Sequence, residues 1–160
     1  DFRTVLGNVM FPMDFLTDWS KAEKEERARY LLDKVNVKDS EDKYPDELSG
    51  GMQKRVGIAR AIALNPTFLF CDEPNSGLDP ETAIVIDHLI SSLTKELGIT
   101  TIMNTHDLNS IMEIGDNIGF LYKGEIIWQG DRHSILSAEC PQLREFLCSN
   151  TLARNIIEKR

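Results

Sequence analysis

Ser49, Gly50 and Gly51 stand together, Asp72 and Glu73 are adjacent, and His106 follows further along the chain. All are residue types that can handle a phosphate. Two glycines after a serine let the backbone approach a ligand with no Cβ in the way. A helix opening there turns unpaired N–H groups and a positive dipole end toward an anion. A serine-capped helix with a flexible entry would use the same residues. Adjacent carboxylates can hold a hard divalent cation and polarise a water, and a histidine can contact a phosphate oxygen. An acidic turn and a merely exposed histidine are the plainer alternatives.

These groups need rigid elements to position them. Residues 68–71, Phe-Leu-Phe-Cys, follow the breaker Asn65-Pro66 as a wholly apolar run. Such a run predicts a strand buried on both faces of a parallel sheet. Ligands in open α/β sheets bind at the carboxyl ends of strands, where Asp72 and Glu73 fall. Neighbours on a strand point to opposite sides, so the two acids are expected to have different tasks. A second strand is expected over 100–104, with Asn104 as its polar exception, which puts His106 at the same edge of the sheet. The helix between them spans 81–97, with Ile86, Leu89, Ile90, Leu93 and Leu97 at helical spacing and Gly98 as the stop. That crossover is long enough to return the second strand parallel to the first.

The remaining elements follow from local signals. A helix over 4–11 should be stopped by Pro12. Ser20 and Glu23 form a capping box for a helix over 20–35 whose stripe is Ala28, Leu31, Leu32 and Val35. A polar connector over 37–45 leads to a helix over 51–64, with Val56, Ala59, Ile62 and Ala63 inward. After a helix over 108–114, strands over 118–122 and 125–129 flank the hairpin turn Lys123-Gly124. Short helices over 131–136 and 142–147 close the pattern, the second beginning at Pro141.

At these motifs the chain resembles the ATP-binding-cassette (ABC) ATPases. Residues 48–52 look like their signature loop, 68–72 like the Walker B strand, Glu73 like the catalytic acid, 76–79 like the D-loop and His106 like the switch histidine. The resemblance covers about residues 2–129. It implies an α/β, P-loop NTPase-like fold with a parallel-sheet core and a helical signature subdomain. On this reading 1–65 is the helical subdomain, 66–130 the catalytic part of the core with its hairpin, and 131–160 the terminal helices and tail. ATP and Mg2+ are the implied substrate and cofactor. Asp72 would hold the metal, Glu73 and His106 would be catalytic, and Ser49, Gly50, Gly51 and Asp79 would serve the nucleotide across a head-to-tail dimer. Transmembrane permease subunits would be the other partner, with the chain peripheral on the cytoplasmic face of the inner membrane. Phe11, Met13, Phe15, Leu16 and Trp19 would either dock there or pack on the helix that follows.

The pattern G-x-x-x-x-G-K-[ST] is absent from the 160 residues, and the first residue is Asp1. The chain is therefore expected to be a carboxy-terminal fragment, truncated before its phosphate-binding loop and inactive alone. Motif wording, including residues 8–12 and 121–124, is most similar to the Mla or Mce type of phospholipid cassette. Asn75 stands where relatives more often carry threonine. Amino-acid import and lipoprotein export cassettes are alternatives.

Composition narrows the classes further. A net charge of −8 repels nucleic acid and anionic lipid surfaces. The mildly basic stretch 154–160 also carries Glu158. A chromosome-maintenance or DNA-repair ATPase shares the signature and acid pair, but such proteins insert coiled coils or zinc modules, and this chain shows neither. A non-catalytic interaction module is opposed by the presence of both Glu73 and His106. No apolar run reaches bilayer length, so direct membrane insertion is not expected. Cys71, Cys140 and Cys148 match no zinc spacing and read as reduced thiols.

Overall fold

A computed structural model describes residues 2–149. The chain divides into two compact units, Asp1–Asn104 and Thr105–Arg160. The stretch 154–160 lies outside the described residues.

The first unit begins with three helices, α1 (Val5–Leu16), α2 (Lys21–Lys34) and α3 (Gly50–Ala61). The Thr4 side chain caps α1 by accepting from the Gly7 N–H. Pro12 does not stop this helix but lies inside it. The proline removes one helical hydrogen bond, and the fully buried Val9 and Met13 on either side hold the segment helical through tertiary packing. Met13 is thus core, whereas Phe11, Phe15, Leu16 and Trp19 remain exposed. The α2 capping box forms as expected, with the Ser20 N–H donating to Glu23 Oε2 at 2.7 Å and the Glu23 N–H to Ser20 Oγ at 3.3 Å. Arg27 of α2 donates to the carbonyls of Ile62 and Ala63 and so closes the end of α3. Those two bonds join two helices of the same core.

Strand β1 (Phe68–Asp72) pairs in parallel with β2 (Thr100–Asn104), from Phe68 opposite Thr100 to Asp72 opposite Asn104. Helix α4 (Pro80–Leu97) makes the crossover and ends at Gly98 with φ +62°. Ile86, Ile90 and Leu93 of α4 share one apolar core with Val56, Ala59, Ile62, Ala63 and Leu69. Burial of β1 on both faces does not hold. Leu69 is buried, but Phe68 and Phe70 are exposed, Phe70 to 72%. Strand residues alternate sides, and the helical core meets only the side that Leu69 occupies.

The second unit contains α5 (Leu108–Ile114), the antiparallel hairpin β3 (Ile118–Tyr122) and β4 (Glu125–Gly130), and α6 (Pro141–Cys148). Lys123 and Gly124 both take positive φ, +51° and +87°, as a tight hairpin turn requires. The helix expected over 131–136 is replaced by a turn and a short 3-10 segment, Ile135–Ser137. The Asp131 carboxylate explains the change. Its Oδ1 accepts from the N–H groups of His133 and Ser134, a local bond set that competes with the helical one. Leu108, Ile135, Leu143 and Leu147 form this unit's own core, with Phe120 stacked near Phe146.

Candidate functional site

Ser49 caps α3, its Oγ accepting from the Met52 N–H at 3.3 Å. Gly50 and Gly51 are the first two helical residues, where N–H groups lack helical acceptors. The room they leave is used in part by the protein itself. A Cβ on Gly51 would stand 2.7 Å from Thr82 Cγ2, and one on Gly50 would stand 3.3 Å from Leu78 Cδ2. The glycines therefore let the start of α3 approach the start of α4. This brings the Ser49-Gly50-Gly51 turn to the segment that carries Asp79.

Asp79 is the cap of α4. Its Oδ1 accepts from the Thr82 N–H at 3.0 Å and its Oδ2 from the Thr82 hydroxyl at 2.6 Å. These bonds favour the carboxylate and hold its pKa below the usual aspartate value.

Asp72 ends β1 directly opposite Asn104, whose side-chain Nδ2 donates to Asp72 Oδ1 at 2.7 Å. The Asn104 carbonyl also accepts from the Glu73 N–H at 2.9 Å. One residue of β2 thus ties both acids. Glu73 has already left the strand and sits at φ +46°, so strand alternation does not set its direction. A non-glycine residue in this region is uncommon and is retained only where its surroundings fix it.

His106 belongs to the second unit, in the 105–107 link ahead of α5, and is exposed. Beside it the Asp107 N–H donates to Thr105 Oγ1 and the Asp107 side chain caps α5. The first unit therefore gathers Ser49, Gly50, Gly51 and Asp79 at one pair of helix starts and Asp72 with Glu73 at one strand end.

One pairing escaped the sequence reading, which noted Asn75 only as a departure from the relatives' threonine and did not single out Asp87. Asn75 and Asp87 are buried, 5% and 3% exposed, and the Asn75 amide donates to both oxygens of Asp87 at 3.2 and 3.3 Å. The available signal was an aspartate beside Ile86 in the apolar stripe of α4. Asn104 was visible as a polar exception, though not as the partner of both acids.

Residues 2–76 match the family model described as ABC transporter. A methionine import ATP-binding protein MetN of Carboxydothermus hydrogenoformans is 42% identical over 81% of this chain and 38% of that protein. One from Rhodococcus jostii, methionine import ATP-binding protein MetN 2, is 36% identical over 96% of this chain and 44% of that protein. The chain thus spans about two fifths of the length of these curated relatives. Among solved structures, a dimeric ATP-binding cassette in a post-hydrolysis state bound to ADP and Pi aligns with a TM-score of 0.71 and 34% identity, over 82% of this chain and 57% of that one. An ATP-binding cassette of an ABC transporter aligns at 0.76 and 28%, over 91% of this chain and 62% of that one. Motif order, the family match over residues 2–76 and the shared α/β architecture together show that these 160 residues carry the ATP-binding-cassette fold of the ABC transporter proteins.

Proposed function

We propose that the protein containing this chain hydrolyses ATP to drive import of an amino acid of the methionine class. The observation that carries the ATPase half is the double hold of Asn104 on Asp72 and Glu73 at the carboxyl end of a parallel strand pair. The import half rests on the relatives, whose names specify methionine import. It takes the place of the phospholipid substrate that motif wording suggested, because the relatives' names specify methionine import.

In this reading Asp72 holds Mg2+. Its carboxylate is an exposed hard oxygen donor, and among the described residues only Oδ1 accepts a protein hydrogen bond, so the side chain suits that ion. The bound ion would supply charge neutralisation for the phosphates. Glu73 accepts the proton of the attacking water, and His106 holds the γ-phosphate. Ser49 and the N–H groups of Gly50 and Gly51 donate to nucleotide held by a second copy, and Asp79 couples the two sites across that dimer. Residues 1–65 act as the helical subdomain, 66–130 as the catalytic part and 131–160 as the terminal segment. Permease subunits receive the motion at the cytoplasmic face of the membrane. No helix among the described residues is long and apolar enough to cross a membrane itself. The 160 residues carry no G-x-x-x-x-G-K-[ST] loop, and by themselves they do not turn over ATP.

The test is ATP turnover by the full-length protein, with uptake of labelled methionine in cells carrying or lacking it. Turnover and uptake that both fall in Glu73→Gln support the proposal. Turnover accompanied by phospholipid movement and no uptake would reject methionine import.

A further inference from the structure

The loop from Glu73 to Asp79 carries two of the proposed site residues, and the backbone bonds within it are short-range. The Ser76 N–H donates to the Glu73 carbonyl at 3.2 Å and the Leu78 N–H to that of Asn75 at 3.4 Å. Glu73 at φ +46° and Gly77 at φ +78° both take left-handed conformations. Such a path needs outside anchors. One lies at its start, where the Glu73 N–H meets Asn104, and one at its end, where Asp79 caps α4. Between them the loop is held by Asn75, whose buried amide reaches the buried Asp87 two turns into α4. A carboxylate is an expensive group to bury, and a leucine would fill an apolar stripe with less desolvation. What Asp87 provides and a leucine cannot is a directional acceptor for the middle of the loop.

We infer that Asn75 and Asp87 are positioning residues, a buried staple that fixes the Glu73–Asp79 loop and thereby aims the Glu73 carboxylate and places Asp79 at the start of α4. The inference rests on the ATPase reading above. Neither residue touches substrate. Their effect is on the orientation of Glu73, so it falls on turnover rather than on nucleotide affinity.

The experiment uses the full-length protein, comparing wild type with Asn75→Ala, Asp87→Ala, the double variant and Asn75→Ser, which keeps one hydroxyl donor. The expected result for Asn75→Ala is a kcat lower by about 10- to 100-fold with KM for ATP changed by less than about twofold. The double variant should fall no further than the worse single one, because each acts through the other. Asn75→Ser should recover part of the loss, which keeps the test open if the alanine variants fold poorly. Hydrogen exchange at the Ser76 and Leu78 amides should quicken in Asn75→Ala. Unchanged kcat, additive losses or unchanged exchange would overturn the staple. Wild-type protein without ATP turnover would instead sink the ATPase reading, and the exchange rates would then decide on the staple alone.

Discussion

Asn104 Nδ2 lies 2.7 Å from Asp72 Oδ1, a side-chain bond between residues in direct register on neighbouring parallel strands. Because the Asn104 carbonyl also receives the Glu73 N–H, the asparagine sets where the proposed metal ligand and the proposed base stand relative to each other. Asn104→Ala should lower stability by about 1 kcal/mol or less, since the bond is exposed. Its larger effect should be a rise in the Mg2+ concentration that half-saturates ATP turnover. A metal titration at fixed ATP checks this, and an unchanged midpoint would show that Asp72 needs no such guide.

Glu73→Gln removes the proton acceptor while keeping size and the backbone bond to Asn104. Turnover of the full-length protein should fall by about 100-fold or more with ATP binding retained. Single-turnover hydrolysis beside equilibrium binding separates the two, and an unchanged hydrolysis rate, or a loss traced wholly to weaker binding, would reassign the residue.

Gly51→Ala should destabilise the first unit, because the new Cβ would stand 2.7 Å from Thr82 Cγ2. Overpacking of this kind costs about 1–3 kcal/mol. Thr82→Ser deletes that methyl while keeping the hydroxyl bonded to Asp79, so the double variant should recover most of the loss. Urea melts of the four proteins read the cycle.

The Asp79 carboxylate titrates below the ordinary aspartate range because Thr82 donates to it twice. A depressed folded pKa gives stability that is complete above the unfolded value, about pH 4, and is lost as pH falls through the folded one. Asp79→Asn keeps a capping oxygen but no titration. It should melt lower than wild type at pH 7, with the gap narrowing as the buffer is taken down toward pH 3. A gap that stays constant over that range would refute the charge contribution.

Phe68, Phe70 and Ile102 are exposed on the β1–β2 pair, a hydrophobic sheet surface of the type that promotes association. The 160-residue chain should therefore self-associate at high concentration, and Phe70→Lys should shift it toward monomer. Light scattering across a dilution series decides, with a monomeric wild type counting against it.

What the sequence determined by itself was everything whose cause is local. Ser20 with Glu23, Gly98 after α4 and Lys123-Gly124 each act within a few residues, so the capping box, the helix stop and the hairpin turn could be placed before any fold was known. The order of Ser49, Asp72 and Glu73 pointed to the ABC fold for the same reason, since motif spacing is a property of the chain, and all three fall within residues 2–76 that the family model matches. Only the tertiary structure decided the rest. Pro12 stays inside α1 because Val9 and Met13 are buried against other helices, and Phe70 faces outward because the helical core covers one side of β1. Gly51 is small because Thr82 is beside it, Asn104 joins the two acids, and Asn75 finds Asp87 across the loop. Those pairings join residues far apart in the chain, and a hydrogen bond or a close packing contact is a statement about distance in space that no periodicity records.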